Sequence, residues 1–222
     1  MLLMKAWLET RWRLLAVAVY LLIALGLIYR NPTGRSALAA AWVMLTFLAI
    51  LLGGSGVNSQ APLGFSEGIA GSTQFTISLP VTRLRLLAVR AAVGLVEMAT
   101  VTALTVFLIW VFFPAMRETA RPADFARLVL TTVVFLIAPY CAHVFFSTWS
   151  AEPFSLAYAA GALTLLLLVG HHLSPNVDII RAFGDASPLQ THRLPWSQLA
   201  PSVVASAILL FAAGWVVRRR EY

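Results

Sequence analysis

The chain has 222 residues, of which 60% are hydrophobic and only 11% are charged, and its mean hydropathy is +0.84. A soluble domain has about 25% charged residues, so this composition excludes an ordinary soluble protein and indicates one integral membrane domain over residues 1–222. The net charge of +7 comes almost wholly from arginine. These arginines lie at the ends of apolar runs, which favours membrane headgroups as their partners rather than nucleic acid.

The apolar runs predict an all-α membrane protein, because each is close to the roughly 20 residues that a helix needs to cross a bilayer. Residues 1–13 mix tryptophan with basic residues and favour either an interfacial helix or, equally, a cytoplasmic extension of the first span. Six transmembrane helices are predicted, at residues 14–29, 37–57, 86–113, 128–149, 154–170 and 199–217.

The links between the spans differ in length and character. Residues 58–85 form the longest segment that cannot be buried in hydrocarbon, and the third span is predicted to start between Pro80 and Arg90. A short link in water around Asp124 precedes the fourth span, and a second long polar link covers residues 171–198. With both termini and the loop Gly53–Arg90 in the cytoplasm, nine Lys and Arg lie inside and seven outside, which the positive-inside rule favours.

Part of the long polar segment resembles a known family of membrane proteins. Residues 65–73 read FSEGIAGST and residues 79–83 read LPVTR, directly before the third span. Permease subunits of ABC-2-type transporters carry a similar acidic and Gly-Thr-like segment followed by an LP(V/L)(S/T)R stretch at this place. Here Ser72 follows Gly71, and threonine comes one position later at Thr73. The layout of an interfacial helix, six spans and a basic C-terminus is also similar to that family.

The resemblance implies an assembly and a role for the segment. It implies two permease subunits, as a homodimer or a heterodimer, two copies of an ABC ATPase that binds ATP and Mg²⁺, and export across the plasma membrane of a bacterial cell. It also implies that residues 58–85 contain a cytoplasmic coupling helix that rests on the ATPase. The residues carried over to the ATPase contact are Phe65, Glu67, Gly68, Ile69, Gly71 and Arg83.

Two features support a separate energy source without reference to any family. The sequence contains no G-x-x-x-x-G-K-[S/T] motif, so it has no P-loop, and if transport is driven by ATP the energy must come from another subunit. Together with the resemblance, this predicts a transporter subunit rather than an enzyme, with no cofactor of its own. Phe65 and Ile69 are spaced i, i+4 and share a helix face, and the segment around them is too apolar for a free linker. The alternative is that residues 58–85 are only a solvated link.

Two ionisable residues fall inside predicted spans. Glu97 lies seven residues beyond Arg90, and His143 lies six residues before Trp149, so both are at a similar depth from the same membrane face. A charge at the centre of a span costs about 2.5–3.5 kcal/mol on insertion scales and normally faces protein or water. We expect Glu97 and His143 to approach each other or to line the translocation path. The alternative is that hydroxyls, carbonyls or water satisfy each one separately.

Other chemistry is less well supported. Ser55 lies in a G-G-S-G run similar to that of intramembrane serine proteases, but no histidine is predicted beside it, so no catalytic residues are assigned. The histidines and aspartates of residues 171–198 lack the spacing of a metal site, so no metal is predicted. The alternative function is an ATP-independent membrane protein, namely a channel, a secondary carrier or a scaffold. The substrate stays open, because lipophilic spans suit a lipophilic cargo and lipid contact equally.

Overall fold

A computed structural model describes residues 15, 18–19, 22, 26, 34–53, 82–112, 121–148, 150, 154–173, 183 and 187–219. The elements formed by these residues are helices, with no strand among them, so the predicted all-α class is confirmed. The helices are α1 (Gly34–Gly53), α2 (Arg83–Phe112), α3 (Pro122–Ser147), α4 (Phe154–Leu173), α5 (Pro188–Thr191) and α6 (Trp196–Arg219). The predicted interfacial helix of residues 1–13 lies outside the described residues. Within the predicted first span, Leu15, Val19 and Leu22 are helical and exposed.

Three helices are long and apolar enough to cross a membrane, by length and composition: Leu84–Phe112, Pro122–Ser147 and Trp196–Arg219. The part of α4 from Phe154 to Leu165 is a shorter apolar helix. The most hydropathic window of α3 is 67% buried inside the protein, against 33% for α2 and 17% for α6. The central helix is therefore α3, and it contacts each of the other five helices.

Several helices begin earlier than the sequence predicts. Helix α2 begins at Arg83, where the Thr82 hydroxyl accepts a hydrogen bond from the Arg85 N–H at 3.3 Å. Helix α3 begins at Pro122, since proline is well suited to a first helical position. Its 26 residues span about 39 Å, roughly 9 Å more than the hydrocarbon core. The charged first turn of α3, up to Arg127, precedes the predicted span of residues 128–149.

Helix directions follow from the contacts of α3. Helix α2 is antiparallel to α3, because Trp110 contacts Phe125 at one end and Ala91 contacts Tyr140 at the other. Helix α1 is parallel to α3, because Trp42 stacks on Phe135 with ring centroids 5.3 Å apart and the last turns of the two helices also meet. Helices α1 and α3 thus end, and α2 and α4 begin, at the same end of the bundle. This end also holds the last turn of α6, and we call it the arginine end.

Two glycines allow helices to approach α3 closely. A Cβ on Gly53 would lie 2.5 Å from the carbonyl oxygen of Tyr140 and 3.1 Å from the Cβ of His143. A Cβ on Gly94 would collide with the Tyr140 hydroxyl. Gly53 belongs to the G-G-S-G run of the sequence, and its lack of a side chain permits the α1–α3 contact.

Candidate functional site

Four polar side chains of α2 and α3 are buried inside the bundle, and we call them the polar seam. Arg90 and Glu97 lie on α2, and Tyr140 and His143 lie on α3; none of the four is more than 9% exposed. Arg90, Gly94 and Glu97 are spaced i, i+4, i+7, so they share the face that α2 turns to α3. Ionisable groups in a membrane-spanning bundle normally face the interior, and the polar seam follows that rule.

Tyr140 connects the two helices of the polar seam. Its hydroxyl donates a hydrogen bond to the Ala91 carbonyl oxygen at 2.9 Å, and its ring packs against the bare face of Gly94. Glu97 is close enough for its charge to act on the Tyr140 phenol. Tyr140 therefore fixes the register between α2 and α3 near the Glu97 carboxyl group.

His143 joins three helices. It is fully buried, its Nδ1 contacts the Ile50 carbonyl oxygen of α1, and its Nε2 lies 3.1 Å from the Ser155 hydroxyl oxygen of α4. A carbonyl can only accept, so Nδ1 carries the proton and donates to Ile50, while Nε2 accepts from Ser155. A serine–histidine pair of this kind resembles half of a catalytic dyad. Because Ser155 is fully buried and the third partner is a main-chain carbonyl, we interpret the contact as a structural tie.

The predicted approach of Glu97 to His143 stays a prediction. Gly94 faces Tyr140, and in antiparallel helices Glu97 and His143 lie three residues away from that level in opposite directions. At about 1.5 Å per residue, their Cα atoms are offset by about 9 Å along the bundle. The hydrogen bonds described for His143 go to Ile50 and Ser155. Both residues nevertheless belong to the same buried seam.

Sequence reasoning missed several members of the buried polar group. It assigned Arg90 to the membrane boundary and gave no role to Tyr140 or Ser155, although the i, i+4, i+7 spacing on α2 was a usable signal. It also missed other buried hydroxyls of α2, α3 and α6. Three of these make no hydrogen bond within the described part of the chain, and they are Thr102, Thr131 and Ser202.

A second polar cluster lies at the opposite end of the bundle from the arginine end. The Asp124 carboxylate is buried and accepts from Arg127 Nη1 at 2.6 Å, from His192 Nδ1 at 2.7 Å and from the Arg121 main-chain N–H at 3.3 Å. The prediction that Asp124 lies in water is therefore wrong, because α3 begins before it and His192 covers it. His192 follows α5 with a φ of 54°.

The electrostatics of Asp124 follow from these contacts. Burial alone raises the pKa of this carboxyl. The hydrogen bonds from His192, Arg121 and Arg127, together with the charge of His192, outweigh burial and hold the Asp124 pKa below its ordinary value of 3.8. The carboxylate thus stays charged and ties the start of α3 to the turn after α5.

The residues predicted to contact an ATPase are mostly not covered by the structure. Phe65, Glu67, Gly68, Ile69 and Gly71 lie outside the described residues, and Arg83 is the first residue of α2. Within the described part of the chain, no three His, Cys, Asp or Glu residues lie together as metal ligands would.

Comparison with known proteins does not identify the chain. No family model matches it, and neither a curated protein nor a solved structure matches it.

Proposed function

We propose that this chain is the membrane-spanning permease subunit of an ATP-driven exporter of the ABC-2 type. It crosses the plasma membrane of a bacterial cell six times, with both termini in the cytoplasm, and works as a homodimer or heterodimer. Two copies of a separate ATPase bind ATP and Mg²⁺ and contact the segment of residues 58–85. Phe65, Glu67, Gly68, Ile69, Gly71 and Arg83 form this contact.

One observation carries the proposal. Helix α1 ends at Gly53 and α2 begins at Arg83, both at the arginine end, so the chain between them leaves and re-enters the bundle on one side. This connection contains the FSEGIAGST and LPVTR stretches. A coupling element needs both of its ends on one side of the bundle, because it must transmit force to two helices from the side on which the ATPase binds.

The polar seam supports a transport role. It lies on α2 and α3 in the interior of the bundle, where Gly94 allows the two helices to approach. Burying a charged group in a membrane-spanning bundle costs free energy, and such groups commonly mark a substrate or ion pathway. We therefore place the translocation path along Glu97 and His143.

The test is recovery of an ATPase with the chain. A tagged chain purified from its native membrane in mild detergent is expected to bring down a nucleotide-hydrolysing subunit, with ATP hydrolysis that vanadate inhibits. Phe65→Ala and Glu67→Lys are expected to release that subunit while the helical content of the permease is unchanged. Gln60→Ala, in the same segment but outside the resemblance, is the matched control and should retain the subunit.

Two outcomes would contradict the proposal. The first is an intact preparation without a nucleotide-hydrolysing partner, which would favour an ATP-independent channel, carrier or scaffold. The second is an ATPase that stays bound when both Phe65 and Glu67 are replaced, which would assign its contact to another part of the chain.

A further inference from the structure

Two distant parts of the chain bring exposed arginines together at the arginine end. Arg85 lies in the first turn of α2, and Arg218 and Arg219 lie in the last turn of α6. A Cβ on Gly214 would be 3.5 Å from the Leu84 Cδ1 atom, so the first turn of α2 contacts α6 one turn before Arg218. Arg218 follows Gly214 by one helical turn on the same face, which directs it toward the start of α2.

The positive charge at this place is not balanced within the described residues. The first turn of α2 contains no acidic residue, and the ion pairs of Asp124 with Arg127 and His192 do not involve Arg85, Arg218 or Arg219. The helix N-terminus adds a further partial positive charge in the same place. Repulsion between these groups is lowered if an anion lies between them.

The position of the arginines relative to the membrane indicates where that anion comes from. Helix α6 has 24 residues and spans about 36 Å, more than the roughly 30 Å of hydrocarbon. Its last turns therefore reach the headgroup layer. Trp215 is half exposed there, and the Arg219 guanidinium lies 3.7 Å above its ring centroid. Tryptophan and arginine side by side are typical of a membrane–water interface.

We propose that Arg85, Arg218 and Arg219 bind the phosphate of an anionic lipid headgroup at the arginine end, where α2 begins and α6 ends. The guanidinium groups supply paired donors that suit phosphate oxygens, and Trp215 packs against the upper part of the lipid. The bound lipid joins the first turn of α2, which follows the polar segment, to the last turn of α6. The site belongs to this chain alone and does not depend on the proposed ATPase.

The test measures lipid binding to the full chain purified in a neutral detergent. Native mass spectrometry and thermal unfolding are recorded with phosphatidylglycerol, with phosphatidylcholine and with inorganic phosphate. The unaltered chain is expected to bind phosphatidylglycerol more tightly than phosphatidylcholine. The double variant Arg85→Gln/Arg218→Gln is expected to lose roughly fivefold in affinity for each arginine, which corresponds to about 1 kcal/mol per basic residue at an anionic surface.

The control removes the same charge elsewhere. Arg121 and Arg193 are exposed at the opposite end of the bundle, so Arg121→Gln/Arg193→Gln should bind phosphatidylglycerol like the unaltered chain. Circular dichroism checks that both double variants fold.

Three results would overturn the proposal. One is equal loss of lipid binding in the two double variants, which would mean a nonspecific effect of charge. Another is inorganic phosphate binding as tightly as the lipid, which would assign the site to free phosphate. The third is loss of a bound protein from Arg85→Gln/Arg218→Gln with lipid binding unchanged, which would assign these arginines to a protein contact.

Discussion

Glu97 is the acidic residue of the polar seam, and replacing it separates a role in transport from a role in stability. Glu97→Gln keeps the shape of the side chain and removes a charge that costs about 2.5–3.5 kcal/mol at the centre of a span. We expect vanadate-sensitive ATP hydrolysis by the co-purified complex to fall, while the helical content of the permease is unchanged. Thr100→Ala is the control, because Thr100 is exposed and bonds only to its own helix. Unchanged hydrolysis in Glu97→Gln would remove Glu97 from the path.

The two contacts of His143 predict an order of stabilities. Ser155→Ala removes one partner of the ring, and we expect a loss of about 0.5–1.5 kcal/mol in unfolding free energy. His143→Ala leaves the Ile50 carbonyl and the Ser155 hydroxyl without this partner and opens a cavity, so the loss should be larger, about 2–5 kcal/mol. Denaturant titration in detergent measures both. Equal losses would mean that the α1 contact contributes nothing.

At the scale of helices, the two glycines that face α3 are predicted to tolerate replacement by alanine to different degrees. In Gly53→Ala the new methyl group meets a main-chain carbonyl, which moves only if the helix moves. In Gly94→Ala it meets the buried Tyr140 ring and hydroxyl, which can move only if the hydrogen bond to Ala91 is lost. We expect a loss of about 1–3 kcal/mol for Gly53→Ala, as for an overpacked core, and a further loss of about 0.5–1.5 kcal/mol for Gly94→Ala, because the Tyr140 hydrogen bond is lost as well. Thermal melting of both proteins decides this, and Gly161→Ala, at an open position, is the control.

The Asp124 cluster joins the start of α3 to the turn after α5, and it predicts a dependence on pH. The Asp124 pKa is lower in the folded protein than its ordinary value of 3.8. The stability that this carboxylate contributes is therefore fully present above pH 3.8 and is lost as the pH falls through the folded pKa. Asp124→Asn should melt at a lower temperature than the unaltered chain at neutral pH. The difference should shrink below pH 3.8, and a difference that does not change with pH would contradict this.

Across the whole molecule, composition and periodicity predicted what depends on local chemistry. Long apolar runs are stable in lipid only as helices, because every main-chain polar group must be hydrogen-bonded there. The fold class and the approximate positions of α2, α3, α4 and α6 could therefore be predicted from the sequence. The partners of single residues were not. Nothing local shows that Tyr140 reaches Ala91 or that His192 covers Asp124. Those facts depend on which helices are neighbours and at what register.

The six predicted crossings and their orientation are the property of the whole chain on which the proposed function depends. Cys141 is the sole cysteine and is buried, so Cys141→Ala is a suitable background for single-cysteine labelling with a membrane-impermeant maleimide. Asp185→Cys should be labelled in intact cells. Gln60→Cys and Glu221→Cys should be labelled only after the membrane is permeabilised, because an even number of crossings puts residues 58–85 and the C-terminus on the cytoplasmic side. ATP is present on that side alone, so labelling of Gln60→Cys from outside would exclude an ATPase contact at this segment. Labelling of Glu221→Cys from outside would instead mean an odd number of crossings after residue 60.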